Sequence, residues 1–385
     1  MPLRSHPLWL VGFRPFFALA CLAGMSLPVL WTLVFSGTVT LPGSLPALRW
    51  HAHEMFYGFG WAVLGGFLLT ATKNWVQVRG YHGPALQLLV AAWLLERITL
   101  WWGSGWPPAL FLAGANLFLG LIVAMLAATL IRHRRRDSYR DNYFFLLVLP
   151  AFIVAKNLLL TEAGFALGWS MTLGLFRMAF LVMLERTLTP FMKGAFQVDL
   201  LRYRPLDMSI KFLGLALVLE AAMPTTAAAA IALLLAALMA ARLCWWHPHR
   251  ALRRLDIGIM YLGYLALVGQ LLLDAWEKLA GTPWVGTLPL HVFTFGAMGL
   301  VIPAMILRIA KGHTGRKVVF APGDKAVLWI MIAAFAIRTA APQLWPAAYL
   351  RWIELAAVAW FAAFALLAWR TLPFLLQPRV DGKEH

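Results

Sequence analysis

Two histidines and a glutamate, His51, His53 and Glu54, open the stretch WHAHEMFYGFGWAVLGGFLLTATKN from Trp50 to Asn74. Neutral imidazole and carboxylate are both ligands for transition metals. A second stretch, LHVFTFGAMGLVIPAMILRIAKGHTGR from Leu290 to Arg316, carries His291 near its start and His313 near its end. Helical spacing limits what these groups can do together. Positions i and i+2 point apart, whereas i and i+3 or i+4 share a face. His51 therefore lines up with Glu54 and Met55, and His53 with Tyr57. One histidine of the pair can bind a metal; the other supports it from behind or serves another site. His291 and His313 are 22 residues apart in the chain. A helix of that length spans about 33 Å, so they cannot share an ion. His291 can lie at the depth of His51 and His53, while His313 belongs to the opposite side.

Other residues of chemical interest are charges inside apolar runs. Glu96 and Arg97 are adjacent, Lys156 precedes Asn157, and Arg177, Glu185, Arg186 and Arg308 follow. Such charges pair with one another or mark a route for protons or substrate. Arg14, bracketed by Phe13, Pro15, Phe16 and Phe17, either snorkels to the interface or contacts an anion. Asp274 and Glu277 either orient a ligating imidazole or end a helix at the surface. His247 and His249 repeat the alternate spacing, but Pro248 breaks the helix between them, and a solvated helix end is the simpler account.

The elements that must position these groups are membrane helices. The chain is 62% hydrophobic and only 13% charged, against about half and a quarter in soluble domains. Lipid cannot satisfy backbone groups, and the apolar runs are too long for barrel strands. The expectation is an all-α, polytopic membrane bundle forming a single domain over residues 1–385. Hydropathy places about twelve spans, roughly 8–36, 50–72, 84–102, 107–131, 142–162, 168–190, 208–223, 225–246, 252–279, 285–308, 324–342 and 347–372. The fifth of these holds Lys156 and Asn157, and the sixth holds Arg177, Glu185 and Arg186.

The net charge of +17 follows the topology. With the N-terminus cytoplasmic, basic residues crowd the inner segments, among them Arg4, Lys73, Arg79, Arg132, Arg140, Arg202, Arg242, Arg254, Lys311, Arg316 and Arg379. The outer loops hold only Arg49, Lys278, Arg338 and Arg351. This positive-inside alternation puts both termini inside. It implies anionic lipid headgroups as the contact and excludes nucleic acid. No cleavable signal peptide is evident. Cys21 and Cys244 fall within spans, which leaves no disulfide and no thiolate metal site.

Three stretches resemble the NnrS family of bacterial inner-membrane proteins: GFRPFFALA near the start, WHAHEMFYGFGWAVLGGFLLTATKNW, and HVFTFGAMGLVIPAMILRIAKGHTGR. The likeness covers essentially the whole chain. It implies a twelve-span protein with haem and copper, associated with the nitric oxide response and protecting against nitrosative stress. Arg14, His51, His53, Glu54, His291, His313 and Arg316 are the positions carried over from those motifs. Haem b is the implied form, since no CxxCH is present for covalent attachment. The leading placement sets haem near His51 or His53 and His291, with Arg14 a candidate propionate contact. The metal-ligand candidates are His51, His53, Glu54, His291 and His313.

Two other functions compete. One is a haem–copper oxidoreductase that converts nitric oxide, against which the scarcity of intramembrane histidines counts. The other is a secondary transporter whose pathway uses Glu96, Arg97, Lys156, Arg177 and Glu185.

Overall fold

The computed structural model describes residues 6–138 and 142–383. Arg4 and Arg140 lie outside the described residues. The chain is 81% helix, and no strand occurs among the described residues. The principal helices are α1 (Phe13–Phe35), α2 (Ala47–Val76), α3 (Pro84–Trp102), α4 (Pro108–Arg132), α5 (Tyr143–Leu160) and α6 (Phe165–Phe196). They continue as α7 (Arg204–Ala216), α8 (Thr225–Trp245), α9 (Leu255–Ala280), α10 (Leu288–Gly312), α11 (Pro322–Thr339) and α12 (Tyr349–Leu376).

Among the described residues, ten helices are long and apolar enough to cross a membrane. The two expected spans outside that set are the fifth and the seventh. The apolar part of α5, Phe144–Leu160, is shorter than the others. Helix α7 ends at Ala216 and passes into a 3₁₀ segment, Leu217–Ala222. Its polar content explains the difference, because Asp207 and Lys211 on α7 make ion pairs inside the protein.

Helices α2 and α10 depart from regular α geometry at the two histidine motifs. In α2 a short helix, Ala47–His53, runs into π-helical turns at Glu54–Gly60 and resumes as α-helix from Trp61. In α10 the short helix is Leu288–His291, the π-helical turns are Val292–Gly299, and α-helix resumes at Leu300. Widened turns of this kind often mark functional positions.

The chain divides into two compact units. The first comprises Met1–Phe165, Ile306–Val319 and Phe364–His385; the second comprises Ala166–Met305 and Phe320–Ala363. In the first unit, Gly66 lets α2 approach α1, since a Cβ there would lie 2.8 Å from the Cβ of Phe16. Phe16 in turn stacks on Phe118 of α4, with centroids 5.6 Å apart. Trp61 meets Phe152 of α5 edge-on at 5.0 Å. In the second unit, α9 packs along both α8 and α10. Gly263 admits Val301, and Gly296 admits Ala266 and Phe335.

Candidate functional site

In the first unit, three helices bring five ionisable side chains to one buried point. His53 and Glu54 come from the α-to-π junction of α2, Glu96 and Arg97 from α3, and Lys156 from α5. His53, Glu96 and Lys156 are 0% exposed and Glu54 is 2% exposed, so their pairing must come from within. Nδ1 of His53 lies 3.2 Å from Glu54 Oε1, and Nε2 lies 3.4 Å from Glu96 Oε1. The same Glu96 oxygen takes Arg97 Nη2 at 2.8 Å and Lys156 Nζ at 2.5 Å. Arg97 Nε reaches Glu54 Oε2 at 2.9 Å. Two carboxylates thus face a guanidinium, an ammonium and the imidazole at one buried point. Burial of unpaired charge would be prohibitive, and this mutual compensation makes the cluster tolerable.

The π-helical turns fit this cluster. Gly58 carries no side chain where one would collide: its Cβ would sit 2.8 Å from Arg97 Nη1 and 3.1 Å from Glu54 Oε2. Its carbonyl accepts a hydrogen bond from Trp93 Nε1 of α3 at 3.0 Å. Tyr57, one turn after His53, lies against it with ring centroids 5.3 Å apart.

His51 faces elsewhere. Its ring stacks on Trp31 of α1 at 4.0 Å and 13°. The two motif histidines thus serve different surroundings, as their spacing requires.

His291 belongs to the second unit. Its Nδ1 lies 2.9 Å from Thr287 O and 2.8 Å from Thr287 Oγ1. Its Nε2 lies 3.1 Å from Arg338 Nη2, which also donates to Tyr349 Oη at 3.3 Å. Guanidinium can only donate, so Nε2 accepts and the proton sits on Nδ1, donated to Thr287 O. Both ring nitrogens are engaged by protein.

His313 follows α10 in the first unit. Its ring packs against Phe13 at 5.5 Å, and its carbonyl accepts from Arg379 Nη1 at 3.1 Å. Burial, then the positive fields of Arg379 and Lys73, pull the imidazole below its ordinary range, which holds it neutral. Arg316 donates to Thr314 Oγ1 at 2.9 Å and Gln377 Oε1 at 3.0 Å, and lies 4.4 Å from the Phe374 ring centroid. Arg14 is fully buried; its Nη1 donates to Leu375 O at 2.7 Å and Gln377 O at 2.8 Å. Arg14 thus holds the carbonyls that end α12, a contact neither sequence reading anticipated.

A second charge cluster in the second unit escaped the sequence reading in part. Glu185 of α6 was a candidate. Its partners are Arg202, Lys211 at 3.1 Å and Arg242 at 3.4 Å. Arg242 also reaches Asp207 at 3.2 Å and Tyr264 Oη at 3.0 Å. Arg202, Asp207 and Arg242 stand among basic residues that topology alone explained. The acids of that basic segment, Asp199 and Asp207, were the available signal. Arg186 and Arg308 are half-buried. His247 and His249 meet only ring against ring, with centroids 5.9 Å apart.

No group of three His, Cys, Asp or Glu side chains able to hold a metal occurs among the described residues. The fold and these buried clusters define a multi-pass helical membrane protein. The NnrS protein family model matches residues 7–379, and the chain belongs to that family. No curated protein matches it.

Proposed function

We propose that this chain is a haem- and copper-associated protein of the bacterial inner membrane, acting in the nitric oxide response and protecting against nitrosative stress. It works as one membrane domain with twelve spans, both termini cytoplasmic and the lipid bilayer around it. The observation that carries the proposal is the family match over residues 7–379, with haem, copper and nitric oxide entering through the family resemblance.

The residues differ in how well they suit a metal. At His53 the space beside Nε2 is taken by Glu96, itself bound to Lys156 and Arg97, so the donor set there does not fit copper or haem iron as arranged. His291 has both nitrogens committed to Thr287 and Arg338. His313 fits best. It is held neutral, and Lys73 and Arg379 lie in its electrostatic surroundings, a setting suited to a ligand bearing carboxylates. His313 would hold the iron of a b-type haem. Bound there, the iron would supply a coordination site for nitric oxide. Phe13 and the tail residue Arg379 then fix the position of His313, by the ring contact and by the bond to its carbonyl.

The test is the absorbance spectrum and metal content of the purified protein. A Soret band and bound copper are expected, with the Soret band lost in His313→Ala and retained in His291→Ala. Absence of any Soret band in protein purified from haem-replete cells sinks the proposal. Consumption of nitric oxide with an electron donor would shift the reading to an oxidoreductase.

A further inference from the structure

Three cations of the first unit surround one cavity with no acid beside them. Lys73 lies in the last turn of α2, Arg79 in the loop between α2 and α3, and Arg132 at the end of α4. All three line a cavity of about 430 Å³, together with His82 and His133. Among the described residues, no Asp or Glu lines it, and none of the three cationic side chains makes a hydrogen bond or ion pair. Asp137, the acid nearest to Arg132 in the chain, accepts from Asn142 Nδ2 at 2.7 Å. The carbonyl ends of α2 and α4 favour a cation, which accounts for Lys73 and Arg132 singly. They do not account for Arg79, nor for the space the three enclose. Like charges around one space repel until an anion joins them.

The walls of the cavity are fixed. Tyr81 Oη donates to Met125 O at 3.1 Å, which ties the loop carrying Arg79 and His82 to α4. The same loop lies close on α2, since a Cβ on Gly80 would sit 3.2 Å from Leu69 O. Where the loop enters α3, Gly83 N donates to Trp9 O at 2.7 Å.

The lining is also graded with depth. Leu69 stands one turn before Lys73 on α2, and Leu126 nearly two turns before Arg132 on α4. Both leucines are buried and line the cavity, so its apolar wall lies further into the bundle than its cations. Helices α2, α3 and α4 are all long and apolar enough to cross a membrane. The cavity lies where α2 and α4 end and α3 begins, which is headgroup depth.

We propose that this cavity binds an anionic phospholipid. The phosphate sits among Lys73, Arg79 and Arg132, and the first carbons of the acyl chains lie against Leu69 and Leu126. A guanidinium fork takes two phosphate oxygens, and the lysine adds a point charge. A basic pocket between membrane helices suits such a headgroup, and the volume is that of a small-molecule site, about 300–1,000 Å³. A free phosphate would satisfy the cations and leave the apolar wall unused. The site needs no metal at His313.

Thermal unfolding of the full-length protein in detergent tests this, with dioleoylphosphatidylglycerol titrated against dioleoylphosphatidylcholine. The chains are the same, so only the headgroup differs. A saturable rise in the unfolding midpoint with the anionic lipid, beyond that with the zwitterionic one, is expected. Arg79→Gln with Arg132→Gln should weaken that response at least about tenfold in lipid concentration. Both arginines are exposed, and Lys73, whose charge reaches His313, is left in place. Arg79→Gln alone should weaken it several-fold and keeps the test open if the pair does not fold. Arg134→Gln with Arg135→Gln removes the same charge just outside the cavity and should leave the response intact. Three results overturn the proposal: equal responses to the two lipids, equal losses in the two arginine pairs, or a full response to inorganic phosphate at the ionic strength of a chloride control. The second would mean general attraction to a basic surface, and the third a site for free phosphate.

Discussion

Helices α2 and α10 share one backbone plan and use it for different ends. Each begins as a short α-helix that closes on a histidine. Each then widens, over seven residues in α2 and eight in α10, before α-helix resumes. In α2 the widened turns stand over charge: Gly58 lies under Arg97 and Glu54, and His53 is sealed between two carboxylates. In α10 they stand over packing: Gly296 receives Ala266 and Phe335, and Gly299 receives Met331 and Trp360. The histidine of α10 bonds to Thr287 and to the Arg338 guanidinium at the helix end, with no carboxylate among these partners. The same local device thus supports an electrostatic core in one unit and close helix contact in the other.

The largest effect that could break this comparison comes from removing a charge. Glu96→Ala leaves Lys156, Arg97 and His53 facing one another without their common acceptor. Loss of one partner from a buried pair costs about 3–5 kcal/mol. Arg338→Ala, the matching deletion beside α10, removes hydrogen bonds to His291 and Tyr349 and should cost about 1–3 kcal/mol. Thermal unfolding of the two variants ranks them. The double variant Glu96→Gln with Lys156→Met should recover part of the loss, since it removes the charges together. Equal costs for Glu96→Ala and Arg338→Ala would mean that the cluster is no more electrostatic than its counterpart.

Glycine replacement probes the packing half of the contrast. Gly296→Ala places a methyl group 2.5 Å from Ala266 Cβ and 3.0 Å from the Phe335 ring. Neither neighbour can swing away, and overpacking costs about 1–3 kcal/mol. Gly58→Ala meets mainly the end of Arg97, which can move, so its cost should be smaller and should fall further in an Arg97→Leu background. Unfolding midpoints of the three variants would show this order, and the reverse order would place the tight packing in α2.

Parts of this comparison were legible in the sequence. The histidines at the start of both stretches and the basic residues at their ends stand in the sequence. The alternate spacing of His51 and His53 already required separate faces, and they have them. The π-helical turns could not be read, because a glycine-rich apolar run suits either helix type. Glu96, Arg97 and Lys156 stood out as charges in apolar runs, but their meeting at His53 is tertiary and leaves no mark on local spacing. Arg242 and Asp207 were hidden for another reason. A topological count treats every inner arginine alike, so a buried arginine and a solvated one look the same. The expected seventh span, 208–223, coincides with α7 and the 3₁₀ segment after it, and Asp207 and Lys211 there meet an ion cluster that hydropathy does not reveal.

The smallest expected effect lies at the C-terminal ends of the same two helices. Helix α2 closes on itself: Gln77 takes a left-handed turn at φ 52°, and its side chain donates to Asn74 O at 2.7 Å. Helix α10 is tied down by the C-terminal tail instead. Val380 N donates to Thr314 O at 3.0 Å, and Arg379 donates to His313 O at 3.1 Å. Asp381 holds Arg379 in place, accepting from its Nε at 2.8 Å. That pairing draws the Asp381 carboxyl down to about 2. A depressed acid stabilises the tie fully above its ordinary value, near 3.8, and the contribution fades as pH falls toward about 2. At neutral pH the tie is therefore complete, and Asp381→Asn should mimic acid. Hydrogen exchange at the Val380 amide should quicken by at most about fivefold in that variant, the range of a weak exposed ion pair. The amides around Asn74 and Gln77 should not respond, because the end of α2 is held by Ser138 N donating to Trp75 O at 2.9 Å and not by the C-terminal tail. Unchanged exchange at Val380 would mean that the backbone bond to Thr314 holds the tail without help from Asp381.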